Sequence, residues 1–485
     1  MPIKKVIAPQ IDFSGLRREL RLPEEFPGGV LAEAEEAARS TPLPENDQTD
    51  VPFVTIDPAS SRDLDQAMHL SRREGGGYRV RYAIADVATF VRAGGAVAAE
   101  SWVRGQTVYL PDGRVPLHPP VLSEGAVSLL PDADRAAVVW TIDLDAEGAT
   151  VAVALERARV RSRAKLDYAT VQQQIDAGSA PESLVLLPEI GTLLARRAAD
   201  RGAVNLPLPS QEVERDGDGW RLVLRAPLPV EEHNAQISLL TGMAAAAIML
   251  AGGVGLLRTM PAPKPEAVEK LRAAAAPLGI AWPDGASVGA VVGSVDPANP
   301  RGAAFLEQAA DLLRGAAYTA FDLPDKSEMS DRGDGEGLPE LTGHGGVGAP
   351  YAHVTAPLRR LADRYATEIC LALHENRPIP DWARDALPDL PKTMSATDRA
   401  ASAADRGAID LAEAVLLEHR VGEIFEAAVL DREGPSEKRP PQGTIAIDEP
   451  AVRARCQGDL PLGTRIRVKL TAADPATRTV RFEKS

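Results

Sequence analysis

The sequence predicts an α+β body followed by a small all-β barrel of OB type. Three observations carry this expectation. Strand-like runs dominate residues 51–145, long Ala/Leu-rich segments take over from 165 to 375, and from about 421 short strands alternate with Gly, Pro and Asp turns. With 485 residues the chain is long enough for two or three domains and a large buried core. The predicted boundaries are 1–50 for an N-terminal extension and linker, 51–420 for the body and 421–485 for the barrel.

Residues 1–50 hold a short amphipathic pattern, LAEAEEAARS, and then TPLPENDQTD, whose Pro, Asn and Asp read as a linker. The start, MPIKKVIAPQIDF, lacks an apolar run of secretory length. YRVRYAIADV (78–87) alternates in strand fashion behind the turn EGGG, and AVVWTIDLDAEG (137–148) is a second strand ending in a turn. Residues 165–202, 230–280, 302–320 and 358–375 read as helical by length and composition. Within them AQISLLTGMAAAAIMLAGGVGLL (235–257) is charge-free and long enough to span a bilayer. It lacks terminal aromatic anchors and carries Gln236, Ser238 and Thr241, so a buried core helix is expected instead.

Composition excludes several classes. Two cysteines, Cys370 and Cys456, lie far apart with no CxxC, which argues against a disulfide scaffold or zinc site and fits a reducing cytoplasm. A net charge of −15 does not advertise a nucleic-acid binder, although a local arginine-lined channel is compatible with an acidic total.

The most informative stretch is VPFVTIDPASSRDLDQA (51–67). A strand-like run delivers Asp57 at its end, and Asp63 and Asp65 follow across a polar loop. Carboxylates so close repel one another unless a proton or cation intervenes. A hard divalent metal such as Mg²⁺ is one resolution, and a solvated acidic loop would carry the same spacing. A calcium EF-hand loop is excluded, because counting from Asp63 puts Ala67 and Met68 where an oxygen ligand and a glycine belong.

TIDPASSRDLDQA resembles the signature loop T-I-D-x-x-x-x-x-D-x-D-D-A of the ribonuclease II (RNB) exoribonucleases. Asp57, Asp63 and Asp65 fall on its first three acidic positions, and Gln66 stands at the fourth. A glutamine oxygen can still ligate a metal, without charge. YAHVTAPLRR (351–360) resembles the family's Y-A-H-F-T-S-P-I-R-R segment. Read by themselves, the glycines of GLPELTGHGGVGAPY suggest a phosphate loop, but no G-K-[ST] follows. Arg359 and Arg360, after a proline at a helix start, suit anions, and a pairing with Asp363 or Glu368 on their own helix is the alternative. SAADRGAID resembles the A-E-R motif, with Asp405 at the glutamate position. VRGQTVYLPDGRVPLHPPVLSE (103–124) matches a segment that places an aromatic beside the metal, here Tyr109, and RAKLDYATVQQQ aligns Tyr168 with another aromatic-bearing segment. The opposing aromatic of the family's clamp should lie near GAVNLPLP (202–209), where only Leu206 is available. The GTRIRVKL…TRTVRFE ending resembles the last strands of an S1 RNA-binding domain. Arg465, Arg467 and Lys469 alternate on one strand, Arg478 and Arg481 follow on the next, and Phe425 is the one evident stacking aromatic.

The resemblance implies a hydrolytic 3′→5′ exoribonuclease without the N-terminal cold-shock domains of many relatives. Single-stranded RNA with a free 3′ end would be its partner, and nucleoside 5′-monophosphates its processive products. One or two Mg²⁺ ions, with Mn²⁺ as a substitute, would sit among Asp57, Asp63, Asp65 and Gln66. Arg359 and Arg360 would act with these aspartates in catalysis. Tyr109, Tyr168, His353, Arg359, Arg360, Asp405, Arg465, Arg467 and Lys469 would contact RNA. A cytoplasmic monomer with no membrane contact is expected. Two other classes stay open: an RNA-binding relative without turnover, suggested by Gln66, and a Mg²⁺-dependent phosphatase, which would have no use for the C-terminal barrel.

Overall fold

The computed structural model describes residues 10–206, 210–217, 219–323, 338–434 and 440–485. The run that ends in Asp57 is β1 (Phe53–Asp57), and the loop carrying Asp63 and Asp65 delivers the chain into β2 (Gln66–Arg72) and β3 (Tyr78–Ala85). A short hairpin, β4 (Val108–Leu110) and β5 (Gly113–Val115), precedes two long strands, β6 (Asp134–Leu144) and β7 (Thr150–Asp167). Strands β1, β2, β3, β6 and β7 close into a barrel, in which β7 pairs parallel to β1 with Asp167 opposite Asp57.

Strand periodicity divides the barrel side chains between two cores. Val80, Tyr82, Ile84, Val138, Trp140 and Ile142 join one cluster, and Phe53, Ala67, Ala83, Ala85, Val139 and Val160 join another. The first is covered by helix Pro229–Gly252 and helix Leu361–His374. Helix Pro229–Gly252 is long and apolar enough to cross a membrane by length and composition. Here it supplies Val230, Ile237, Leu240, Ala245, Ala246 and Met249 to the core. Gly242 lets the backbone at Tyr351 and Ala352 approach, since a Cβ there would lie 2.2 Å from the Tyr351 ring.

Several expected elements are corrected. The helix expected over 230–280 stops at Gly253, whose φ of 75° is left-handed and suits glycine. The chain then turns into β10 (Val254–Thr259), after the hairpin β8 (Ser210–Asp216) and β9 (Gly219–Arg225). Likewise 302–320 is helix Pro300–Ala310 followed by β11 (Ala317–Asp322), which pairs antiparallel with β10. Pairing between strands about sixty residues apart in sequence overrides local helix preference. Residues 41–50 are not a free linker. Asn46 donates to Glu156 at 2.8 Å, its carbonyl accepts from Arg159 N at 2.7 Å, and Asp47 pairs with Arg159 at 2.6 Å, docking the segment along β7. Before it, Phe13 is fully buried edge-on to Trp220, and Glu33 accepts from Ala96 N at 2.8 Å, satisfying the start of helix Ala96–Arg104.

Two-residue strands β12 (Gly343–His344) and β13 (Ala349–Pro350) shape the approach to the arginine segment. Helix Leu390–Leu417 then leads to the C-terminal barrel. There β14 (Ile424–Glu433), β15 (Gln442–Ile447), β16 (Val452–Gln457), β17 (Arg465–Asp474) and β18 (Thr479–Lys484) close in the order β14-β15-β16-β18-β17, as an OB fold requires. Val429, Ile445, Val452, Val468, Leu470 and Phe482 fill it.

Candidate active site

The three aspartates meet at one end of the first barrel because β1 ends at Asp57 and the following loop folds back before β2. Each carboxylate has a different environment. Asp57 accepts no hydrogen bond among the described residues, and burial pushes it up to about 6 against the opposing pull of Arg359. Asp65 is 4% exposed. Its Oδ1 accepts from Leu358 N at 2.7 Å, and Arg359 Nε lies 3.2 Å from its Oδ2. Burial nonetheless pushes it up to about 7. Asp63 is held outward by Arg114 at 2.7 Å and by the Tyr109 hydroxyl, which donates at 3.1 Å.

These are hard oxygen donors, and Asp57 has no ion-pair partner among the described residues, so the set fits a divalent cation. Among the described residues, however, no three His, Cys, Asp or Glu side chains are gathered tightly enough to form a metal centre. Arg114 and Arg359 supply the neutralising charge instead. Gln66 stands apart from the carboxylates in its bonding. Its Nε2 donates to the Thr355 carbonyl at 2.5 Å and its Oε1 accepts from Tyr82 Oη at 2.5 Å.

The segment TAPLRR is brought against the loop from 290 residues away. Arg359 is exposed and faces Asp65, whereas Arg360 is turned back onto Asp363 at 2.9 Å, the intrahelical pairing that was the alternative for it. Asp363 is fully buried and also accepts from Ala356 N at 3.0 Å, so the Arg360–Asp363 pair ties the turn to the start of helix Leu361–His374. His353 Nδ1 lies 2.7 Å from Tyr318 Oη, between the rings of Tyr318 and Tyr351. Burial drives its pKa down, so it is a neutral, packed histidine.

Tyr109, on β4, is 49% exposed, and its hydroxyl is bonded to Asp63. Tyr168 follows β7 directly and accepts from Asn234 Nδ2 at 3.3 Å. Leu206 packs on the small helical core around Leu271 and Phe305, and residues 207–209 lie outside the described residues. Asp405 is exposed on helix Leu390–Leu417, and no described contact links it to the aspartates.

On the C-terminal barrel Arg465, Arg467 and Lys469 do point to one exposed face of β17. Each has a carboxylate nearby. Arg465 pairs with Asp448, Arg467 lies opposite Glu426, and Lys469 lies opposite Glu483. Arg465 is thus ion-paired, while Arg467 and Lys469 have acidic cross-strand neighbours that offset part of the stripe's charge. Arg478 pairs with Glu19 at 2.9 Å. Phe425 is buried edge-on to Phe482, so the expected stacking ring is a core residue.

Residues not foreseen from sequence complete the site. Arg114 lies directly across from Tyr109 in the β4–β5 hairpin and bridges Asp63 to Glu124. Asn234 and Ser238 project from helix Pro229–Gly252 toward Tyr168 and Thr355. The one available signal was two polar side chains four residues apart on an otherwise apolar helix.

Residues 45–375 match the RNB domain, and residues 423–485 match the RNase II-type exonuclease C-terminal S1 domain. Ribonuclease R of Escherichia coli (strain K12) is 27% identical over 442 residues, covering 84% of this chain. The chain spans 50% of the length of that relative. Mycoplasma genitalium RNase R, solved in complex with ribose methylated single-stranded RNA, superposes with a TM-score of 0.82 at 19% identity over 99% of this chain and 78% of that one. Yeast Ssd1, described as a pseudonuclease, superposes with a TM-score of 0.68 at 17% identity over 90% of this chain and 54% of its own.

Proposed function

The chain belongs to the RNB family, and on that footing we propose that it hydrolyses single-stranded RNA from a free 3′ end, releasing nucleoside 5′-monophosphates. The observation that supports this most is the convergence of Asp57, Asp63 and Asp65 with Arg359 and an exposed Tyr109 at one barrel end. The RNB fold alone does not carry it, since that fold occurs in a pseudonuclease as well.

In this reading Asp57, Asp63 and Asp65 hold Mg²⁺ or Mn²⁺, which when bound supplies Lewis-acid activation of water and of the departing 3′ oxygen. Arg359 offers its guanidinium to the scissile phosphate while its Nε rests on Asp65, so anionic charge developing at phosphorus meets a fixed cation. Tyr109 stacks against the terminal base and Tyr168 closes the other side of the aspartates. Arg360 and His353 position the turn.

The test is release of mononucleotides from 5′-labelled RNA in Mg²⁺, comparing the unmodified protein with Asp65→Asn. The expected result is stepwise shortening from the 3′ end, reduced at least about a hundredfold in the variant. Internal cleavage, or equal rates in the two proteins, refutes it. RNA binding without shortening would instead place the chain with the non-catalytic relatives.

A further inference from the structure

We propose that Gln66 is a positioning residue, an uncharged clamp between the barrel and the turn that carries Arg359, and not a ligand of the divalent ion. Its amide is oriented without ambiguity. The Thr355 carbonyl can only accept, so Nε2 must face it, at 2.5 Å. That turns Oε1 to the hydroxyl of Tyr82, which is fully buried and donates at 2.5 Å. Both ends of the side chain are thereby used.

The neighbouring contacts make this a two-point grip. Asp65 accepts from Leu358 N at 2.7 Å, and Gln66 holds Thr355 three positions earlier. Thr355 Oγ1 is also 2.9 Å from Ser238 Oγ, tying the same turn to helix Pro229–Gly252. The turn ends in Arg359, whose Nε meets Asp65 at 3.2 Å, so a shift at Thr355 displaces the guanidinium. An aspartate at position 66, the residue of the signature pattern, could not do this. It has no proton to donate to the Thr355 carbonyl at neutral pH, its lone pairs would face those of that oxygen, and it is one methylene shorter. Glutamine thus exchanges one negative charge for a hydrogen-bond donor. The proposed ion is left with three carboxylates. That last consequence, and the use of RNA affinity as a readout at Arg359, rest on the proposed function.

The test compares the unmodified full chain with Gln66→Met, of similar length but without hydrogen bonds, in three measurements that need no turnover. In EDTA, Gln66→Met should melt roughly 2 °C lower. Its affinity for Mn²⁺, read by electron paramagnetic resonance, should stay within about twofold. Binding of a single-stranded oligoribonucleotide in EDTA should weaken about fivefold, and this loss should vanish when Arg359→Ala is already present, as coupled residues require. A purely structural role would lower melting and leave the coupling with Arg359 at zero. Mn²⁺ affinity falling tenfold with unchanged melting in EDTA overturns the proposal, as does an equal loss of RNA affinity with and without Arg359. Gln66→Asn, too short to reach both partners, is the milder variant if Gln66→Met does not fold, and is read in the same way. If Mn²⁺ binds none of these proteins, the hydrolytic function fails, and the coupling with Arg359 in RNA binding, measured in EDTA, still decides for or against the clamp.

Discussion

Replacing Glu413 by glutamine should stabilise this protein at pH 8 and leave it nearly unchanged at pH 5. Glu413 lies on helix Leu390–Leu417, is 4% exposed, and sits where that helix meets the β8–β9 hairpin and the C-terminal barrel. A single oxygen, Oε1, accepts from Gln211 Nε2 at 2.6 Å and from Arg453 N at 2.9 Å. Glutamine keeps that oxygen and both bonds. The guanidinium of Arg453 is paired with Glu307 at 3.0 Å and offsets the ionised acid less than burial and the repulsion from Asp410 oppose it. Burial therefore pushes the carboxyl from the ordinary 4.5 up to about 7. With a folded pKa above the unfolded one, the stabilising contribution is complete below 4.5 and is lost as pH rises through about 7. The loss approaches roughly 3 kcal/mol at pH 8. For a chain of this length that is about 3 °C in melting temperature. Differential scanning calorimetry of Glu413→Gln and the unmodified protein at both pH values checks it. An equal gain at pH 5 and pH 8, or a loss at pH 8, would refute burial of an uncompensated charge as the cause.

Two further outcomes follow from the geometry. Gly242→Ala should cost about 1–3 kcal/mol, because its Cβ would lie 2.2 Å from the Tyr351 ring and 2.6 Å from the Ala352 carbonyl; thermal melting reads it, and an unshifted transition contradicts the close packing. Tyr109→Ala should weaken the hold on short oligoribonucleotides by about 1–3 kcal/mol per lost stack and lengthen the shortest product on a sequencing gel, whereas an unchanged end product would mean that the exposed ring does not meet a base.

Much of the site was legible in the chain because its information is local. Asp57 follows a strand-forming run, and Asp63 and Asp65 lie within eight residues of it, so a charge cluster at a barrel mouth is set by short-range geometry. The arginine pair after Pro357 was readable in the same way. So was the C-terminal barrel, from period-two alternation broken by Gly, Pro and Asp turns, whereas closure of the first strands into a barrel was not, since it depends on β7 pairing with β1 from far along the chain. The errors fall where partners are distant. Residues 41–50 look like a linker until β7 supplies Arg159 and Glu156, and 254–259 looks helical until β11 arrives to pair with it.

Sequence by itself determined which residue types cluster, which segments alternate and where turns break them, since these depend on neighbours a few positions away. Only the tertiary structure decided what each charged or polar group faces. It set Arg359 on Asp65 and Arg360 on Asp363, laid Glu426 and Glu483 beside the cations of β17, buried Phe425, and placed the Gln66 amide between the Thr355 carbonyl and the Tyr82 hydroxyl. Those pairings span up to 294 residues and follow from burial and strand register across the whole chain, which no local pattern encodes.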